Sequence, residues 1–265
     1  MMFELSSIAL WVVVFAVILG STVLGLVAGR GLRHHSDRLR EPVGIVQGAL
    51  LGFVALILAF GLSLAVGRYQ DRRAATVVEA NAIGTTYLRA QTLLEPQRSR
   101  SLALLAPYTD ATIRFSHEVP GTAGYDRTVA NAEALQRRLW KVAGEALDRS
   151  PQASAPRLYV ESLNETFDAL STRTSALANR VPGPVLAVEL GGAAAALFLL
   201  ALYLAFVGRG TGTVVAAAVL VALLLLITFD LDRPVRGLIA VPDSPLAAAR
   251  ADMSLPPAAA APTPP

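Results

Sequence analysis

Side chains able to do chemistry are few in this 265-residue sequence. There is no cysteine, which excludes thiol nucleophiles, thiolate zinc sites and disulfide frameworks. Histidine occurs at His34, His35 and His117 only. The pair His34-His35 lies among Arg30, Arg33, Arg38 and Arg40, and reads either as a metal-ligating pair or as part of a solvated basic loop. Glu189 is the one ionisable group inside the long apolar runs. Ionisable groups at membrane depth are costly, so it is either functional or satisfied by snorkelling or an ion pair. Asp230 and Asp232 close the last apolar run, where carboxylates at a helix C-terminus oppose the macrodipole. They require cations. Arg233 and Arg236 follow directly, and Arg68, Arg72 and Arg73 end another run, so an ion-pair network is one reading. A divalent ion is the other, although calcium takes about six to eight oxygens. Gly208-Arg-Gly-Thr-Gly212 joins two apolar runs and follows no strand, so it is not a phosphate loop. No Ser-His-Asp set, catalytic carboxylate pair or aromatic-basic nucleic-acid surface is present. The sequence calls for no enzyme, cofactor, metal or nucleic acid.

These groups are set in an apolar chain. Hydrophobic residues make up 54% and charged residues 16%, and mean hydropathy is +0.51. Such an excess marks a membrane protein. The formal charge of +3 is carried almost wholly by arginine, since Lys141 is the only lysine, and this usage with many alanines hints at a bacterial source. About 20 apolar residues in a helix cross a bilayer. Four stretches qualify, at about 8–29, 43–67, 185–208 and 211–229. The first follows Glu4 with no preceding arginine or lysine and exceeds the usual signal core, so it reads as a retained span.

Four spans place both termini on one side, together with the connection 68–181. Flanking arginines on that side are Arg68, Arg72, Arg73, Arg173, Arg180, Arg233 and Arg236. The other side has Arg30, Arg33, Arg38, Arg40 and Arg209, in loops Arg30–Pro42 and Arg209–Gly210. Seven against five does not orient the chain by the positive-inside rule. The chain therefore divides into a first hairpin, 1–67, a helical extramembrane domain, 68–181, a second hairpin, 182–232, and a C-terminal segment, 233–265. The last segment is Ala/Pro-rich from about 244 and reads as disordered.

In the extramembrane domain, Val129, Leu135, Leu139, Val142 and Ala146 recur at helical spacing. So do Val160, Leu163, Phe167, Leu170, Thr174 and Leu177. These stripes need a partner to bury them. Pro96 suits a first helical turn, Pro107 should kink or break its helix, Asp126 suits a cap, and Pro151 and Pro182-Gly-Pro184 end helices. The second span has no breaker at its exit and is expected to run on to about Leu94.

The second span carries the clearest pattern. Gly44, Gly48 and Gly52 are four apart, and Ala55, Ala59, Ser63 and Gly67 extend the small-residue strip. Leu56, Phe60 and Leu64 form a bulky ridge beside it. Small strips let helices approach closely in lipid, which is one reading. A pore-lining helix with a hydrophobic constriction is the other.

The stretch Leu58-Ala-Phe-Gly-Leu-Ser-Leu-Ala-Val-Gly-Arg-Tyr-Gln70 runs into Asp71-Arg-Arg73 and then Val78-Glu-Ala-Asn-Ala-Ile-Gly-Thr-Thr-Tyr-Leu-Arg89. With Asp230-Leu-Asp-Arg-Pro-Val-Arg-Gly-Leu-Ile239, it resembles the bestrophin-like domain family of bacterial membrane proteins. The resemblance covers roughly 43–115 and 184–246. More distantly, the chain is similar to bestrophins, which are pentameric, mainly chloride-conducting channels. That likeness implies a pore lined by the second span, with Phe60 and Leu56 at the neck and Arg68-Tyr69 at its exit. Gly52 stands where a third bulky neck residue would be, and Gln70 where a second aromatic would be. No acidic run matches a calcium clasp. The resemblance also implies a cytoplasmic helical domain and termini in a bacterial inner membrane.

The expectation is an all-α, multi-pass membrane protein: a homo-oligomeric channel-like assembly in lipid, taking small anions, with a neck at Gly52, Leu56, Phe60 and Leu64. Arg68, Tyr69, Arg72, Arg73, Asp230, Asp232, Arg233 and Arg236 would form its exit or an ion-pair network. Gly44, Gly48, Ala59 and Ser63 would pack helices. The alternative is a non-conducting membrane scaffold or sensor whose helical domain binds a protein partner through its stripes.

Overall fold

The structure is a computed structural model that describes residues 7–208 and 210–259; Arg209 and residues 260–265 of the tail, both assigned from sequence above, lie outside them. The described residues are helical and contain no strand. The helices are α1 (Ser7–Gly31), α2 (Ser36–Ala90), α3 (Gln97–Phe115), α4 (Ala123–Arg149), α5 (Ser154–Ala178), α6 (Gly183–Val207), α7 (Thr211–Leu231) and α8 (Ser244–Asp252). Four of these contain stretches long and apolar enough to cross a membrane, in α1, α2, α6 and α7. The protein is an all-helical, multi-pass membrane protein.

The chain forms two compact units. The first, the membrane unit, comprises the chain up to Tyr69 and Arg180–Ala240. Here α1 packs along α6 and α7. In lipid no hydrophobic force drives helices together, so association depends on close backbone approach. Gly25 and Gly29 of α1 supply it. A Cβ on Gly25 would collide with the Phe198 carbonyl oxygen, and one on Gly29 would lie 2.8 Å from the Leu202 oxygen. Leu10, Val14, Ile18, Leu197, Ala218, Ala222, Leu225 and Phe229 fill the rest of this core. The α6–α7 connection turns through Gly208 and Gly210, whose φ values of 75° and 93° suit glycine.

One sequence expectation fails here. The loop expected over Arg30–Pro42 is a short turn. After α1 ends at Gly31, a 3-10 turn (Arg33–His35) leads directly into α2. Pro42 lies inside that helix, which membrane helices tolerate because neighbours satisfy the freed backbone groups.

The second, helical unit comprises Gln70–Asn179 and the chain from Val241. Its core unites Ile83 and Tyr87 of α2 and Leu93 of the turn after it with Leu105 and Tyr108 of α3, Leu139 and Val142 of α4, and Tyr159 and Leu163 of α5. The two amphipathic stripes face one another across this core, so the partner they require is within the same unit. Helix α3 continues through Pro107 rather than breaking. Its buried neighbours Leu104, Leu105, Tyr108 and Ala111 offset a cost of about 3 kcal/mol. The cap of α4 is Thr122, which accepts from the Tyr125 N–H; Asp126 lies inside the first turn. Pro96 is likewise the N-cap residue of α3.

The C-terminal segment also corrects the sequence reading. Disorder was expected from about residue 244, yet Ser244–Asp252 is helix α8. Leu246 is fully buried in the core, and Arg250 pairs with Asp110 at 2.8 Å. One anchoring leucine and one ion pair outweigh the Ala/Pro composition. Downstream, Tyr87 Oη donates to the Met253 carbonyl and the Ala259 N–H donates to Gln91.

Candidate functional site

The membrane unit carries two features of interest, and α2 bears the first. Val54, Leu58 and Ala65 turn inward and are buried, while Leu56, Phe60 and Leu64 are 54%, 61% and 53% exposed. A helix of period 3.6 that buries 54, 58 and 65 must present 56, 60 and 64 on another side. Among the four apolar windows, that of α2 is 22% buried against 50% for α7. The bulky ridge is therefore a face that the chain itself leaves uncovered.

The small-residue strip behaves differently from the packing reading. A Cβ on Gly48 or Gly52 would meet nothing within 4 Å, and Ala59 and Ser63 are exposed. Only Gly44 touches a neighbour, the Tyr203 ring. Within the subunit, close packing is made instead by Gly25 and Gly29, and by Gly61 against the Glu189 carboxylate. Glu189 is 1% exposed, and neither oxygen has a hydrogen-bond partner among the described residues. The expected snorkelling or ion pairing of Glu189 is not what the structure shows.

The second feature is a charged knot at the end of α7. Both Asp232 oxygens accept the Val181 N–H, at 3.0 and 3.1 Å, and Arg68 Nη1 lies 3.8 Å from Oδ1. Asp230 accepts the N–H groups of Leu238 and Ile239 at 2.9 and 2.8 Å, because the segment after α7 folds back over the helix end. The Gly237 N–H donates to the Arg233 carbonyl, and its Cα is packed too tightly against Asp230 and Arg233 to take a Cβ. Arg233 is buried; Arg236 and Arg180 act against its charge and Asp230 in its favour. These partners meet the demand that two carboxylates make at a helix C-terminus. Among the described residues, no group of three or more metal-ligating side chains occurs.

A family model, the Bestrophin-like domain, matches residues 13–246. The chain belongs to the Bestrophin-like family. The match takes in the first span and the middle helices, beyond the two stretches on which the sequence resemblance rested. The Bestrophin-like chain also shares its fold with solved bacterial bestrophin homologues from Klebsiella pneumoniae. One point variant aligns at 15% identity over 89% of this chain and 97% of its own, with a TM-score of 0.66. A second aligns at 16% identity over 91% and 98%, with a TM-score of 0.66. A structure phased on zinc aligns at 15% identity over 89% and 96%, with a TM-score of 0.64. No curated protein matches the chain.

In the helical unit of this Bestrophin-like protein, one residue assigned from sequence to the exit or ion-pair network and one counted only as a flanking charge are both buried. Arg72 is fully buried and donates to the carbonyls of Ala176 and Asn179, fastening α2 to the end of α5. Arg173, counted as a flanking charge, is buried in an ion pair with Glu79, Nε to Oε2 2.5 Å. Its remaining donors reach Ser116 Oγ and the Thr112 carbonyl, both at 2.8 Å, and its guanidinium lies 5.1 Å from the Phe115 ring centre. The pair joins residues far apart in sequence, so no spacing signals it.

Burial pushes the Glu79 carboxyl up to about 7, against the opposing attraction of Arg173. The folded-state pKa thus exceeds the unfolded value of 4.5. Between these values the folded state holds the extra proton, so stability falls as pH rises from about 4.5 to about 7 and is flat above. At 1.36 kcal/mol per unit this interval sets a loss of about 3 kcal/mol. Chemical denaturation at pH 5 and pH 8 should show that decline in the wild type and a smaller one in Glu79→Gln. Equal declines would refute the assignment to Glu79.

Proposed function

We propose that this chain is one subunit of a homo-oligomeric channel for small anions, in which copies of α2 gather about a shared path. Phe60 and Leu56 form the neck, with Leu64 toward the exit and Gly52 at the wide end. The observation that carries the reading is the exposed bulky ridge on the least buried span. An apolar face that its own subunit leaves open fits either lipid or an assembly axis. The adjoining strip of Gly48, Gly52, Ala59 and Ser63 adds room and a hydroxyl, as a water-accessible path needs. A dewettable apolar constriction followed by arginine is a workable arrangement for gating anions. Arg68 and Tyr69 supply the exit, joined by Arg73 beyond it. The fold shared with bacterial bestrophin homologues supports the same reading, with the helical unit and both termini in the cytoplasm of a bacterial inner membrane.

The scaffold reading rests on amphipathic stripes in need of a partner, and most residues of those stripes pack into or against the core of their own unit. No catalytic set is proposed.

The test uses the absence of native cysteine. In Gly52→Cys, Leu56→Cys, Phe60→Cys and Leu64→Cys, a membrane-impermeant thiol reagent is expected to label the face and block current across planar bilayers. Purified protein that carries no current under any ionic gradient, with none of the four positions labelled, would overturn the channel.

A further inference from the structure

Glu189 of α6 has a close-fitting seat and no partner. It is 1% exposed, and neither carboxyl oxygen makes a hydrogen bond among the described residues. The seat lies on α2. A Cβ on Gly61 would stand 2.6 Å from the Glu189 carboxyl carbon and 3.1 Å from Oε2, so only glycine leaves room for the group. Along the same two helices, Val54 Cγ2 would lie 3.4 Å from a Cβ on Gly192, an ordinary contact. The core around these elements is apolar, with Val54 and Leu58 of α2, Leu186 and Ala193 of α6 and Leu226 of α7. The described titratable or charged residues of the membrane unit's helices stand toward the span ends: Arg30 of α1; Arg40, Glu41, Arg68 and Tyr69 of α2; Tyr203 of α6; and Asp230 of α7. Arg180, Arg233 and Arg236 lie in the segments beyond the helix ends. Arg68 follows Gly61 by a rise of about 10 Å along α2 and lies 3.8 Å from Asp232. Asp230 accepts the Leu238 and Ile239 N–H groups. Among the described residues, no counter-charge answers Glu189.

An ionised carboxylate buried with neither counter-charge nor donor is strongly disfavoured, whereas the uncharged acid gives up only its hydrogen bonds to water. An ionisable group inside a span is a functional site by default. We propose that Glu189 is a proton-binding residue that latches α2 to α6. The protonated carboxyl rests against Gly61. Release of its proton to water leaves a charge that the seat does not hold, so the carboxylate moves out toward the membrane surface and the contact opens. The latch depends on the packing of the membrane unit and stands whether or not the protein conducts.

The test uses the full-length protein in lipid, in a Glu79→Gln background that removes the buried carboxyl of the helical unit. Infrared spectroscopy reads a protonated carboxyl directly, because its C=O stretch is separate from that of a carboxylate. That band is expected at about pH 6, should fade as pH rises, and should be absent in E79Q/E189Q. Opening is read by the disulfide yield of Val54→Cys/Gly192→Cys, oxidised in a chain with no other cysteine. Dividing this yield by that of the same pair in Glu189→Gln, which fills the seat without titrating, cancels the pH dependence of thiol oxidation. The ratio should hold level at low pH and fall about tenfold per pH unit beyond the midpoint of the infrared band. Gly61→Ala places a methyl group in the seat and should lose the acid band at about pH 6. If Gly61→Ala fails to assemble, the comparison with Glu189→Gln decides alone. No acid band assignable to Glu189, an acid band that never titrates, a band unaltered in Gly61→Ala, or a yield ratio that ignores pH would each overturn the latch.

Discussion

Arg173→Ala is expected to lower the unfolding free energy of the helical unit by about 3–5 kcal/mol, the usual effect of removing one partner from a buried ion pair. The wild-type guanidinium is nearly inaccessible and engages three elements at once. It pairs with Glu79 of α2, donates to Thr112 and Ser116 at the end of α3, and extends from α5. Alanine would leave a buried carboxyl without its cation, two orphaned acceptors and a cavity beside Phe115. Without Arg173, nothing opposes burial at Glu79, so the pH-dependent loss of stability should extend above pH 7. Urea titration of the full chain in detergent, followed by far-ultraviolet circular dichroism, measures both effects. A loss below about 1 kcal/mol, typical of an exposed pair, would show that Arg173 is solvated.

Phe60→Ala should raise basal conductance on the order of tenfold, equivalent to lowering a barrier by about 1.4 kcal/mol. Phe60 is the bulkiest residue of the proposed neck, and its ring projects away from the subunit. Truncation would widen and wet the constriction with little effect on the fold, because the side chain fills no intrasubunit core. Leu56→Ala should act in the same direction with smaller amplitude, since less apolar bulk is removed. Single-channel recording of variants at matched reconstitution density measures the change. Unchanged current in Phe60→Ala, from a wild type that conducts, would move the neck elsewhere.

The four spans were legible because hydropathy alone sets them. The run at 185–208 becomes Gly183–Val207, and 211–229 becomes Thr211–Leu231. The first connection was less legible, since arginine, leucine and glutamate around Pro42 are polar enough to resemble a loop yet readily helical. Glu79 and Arg173 were invisible because a buried pair between distant helices leaves no periodic trace. Gly25 and Gly29 did leave one, a four-residue spacing in α1, but the longer strip in α2 drew the packing assignment. That strip and the true contact are alike in composition. Only the three-dimensional arrangement separates glycines that touch a neighbour from glycines that face outward. Leu246 and Arg250 taught the opposite lesson in the tail, where two specific contacts override an average composition.

The backbone-to-backbone seating of α1 on α6 has a mechanical corollary. Where Gly25 and Gly29 rest on Phe198 and Leu202 there is no compressible side-chain layer, so sliding or rotation of one rod past the other meets hard atoms at once. Such a pair transmits displacement without absorbing it and serves as a stator. If the protein gates as proposed, the rearrangement would be taken up by α2, whose flank is mostly exposed.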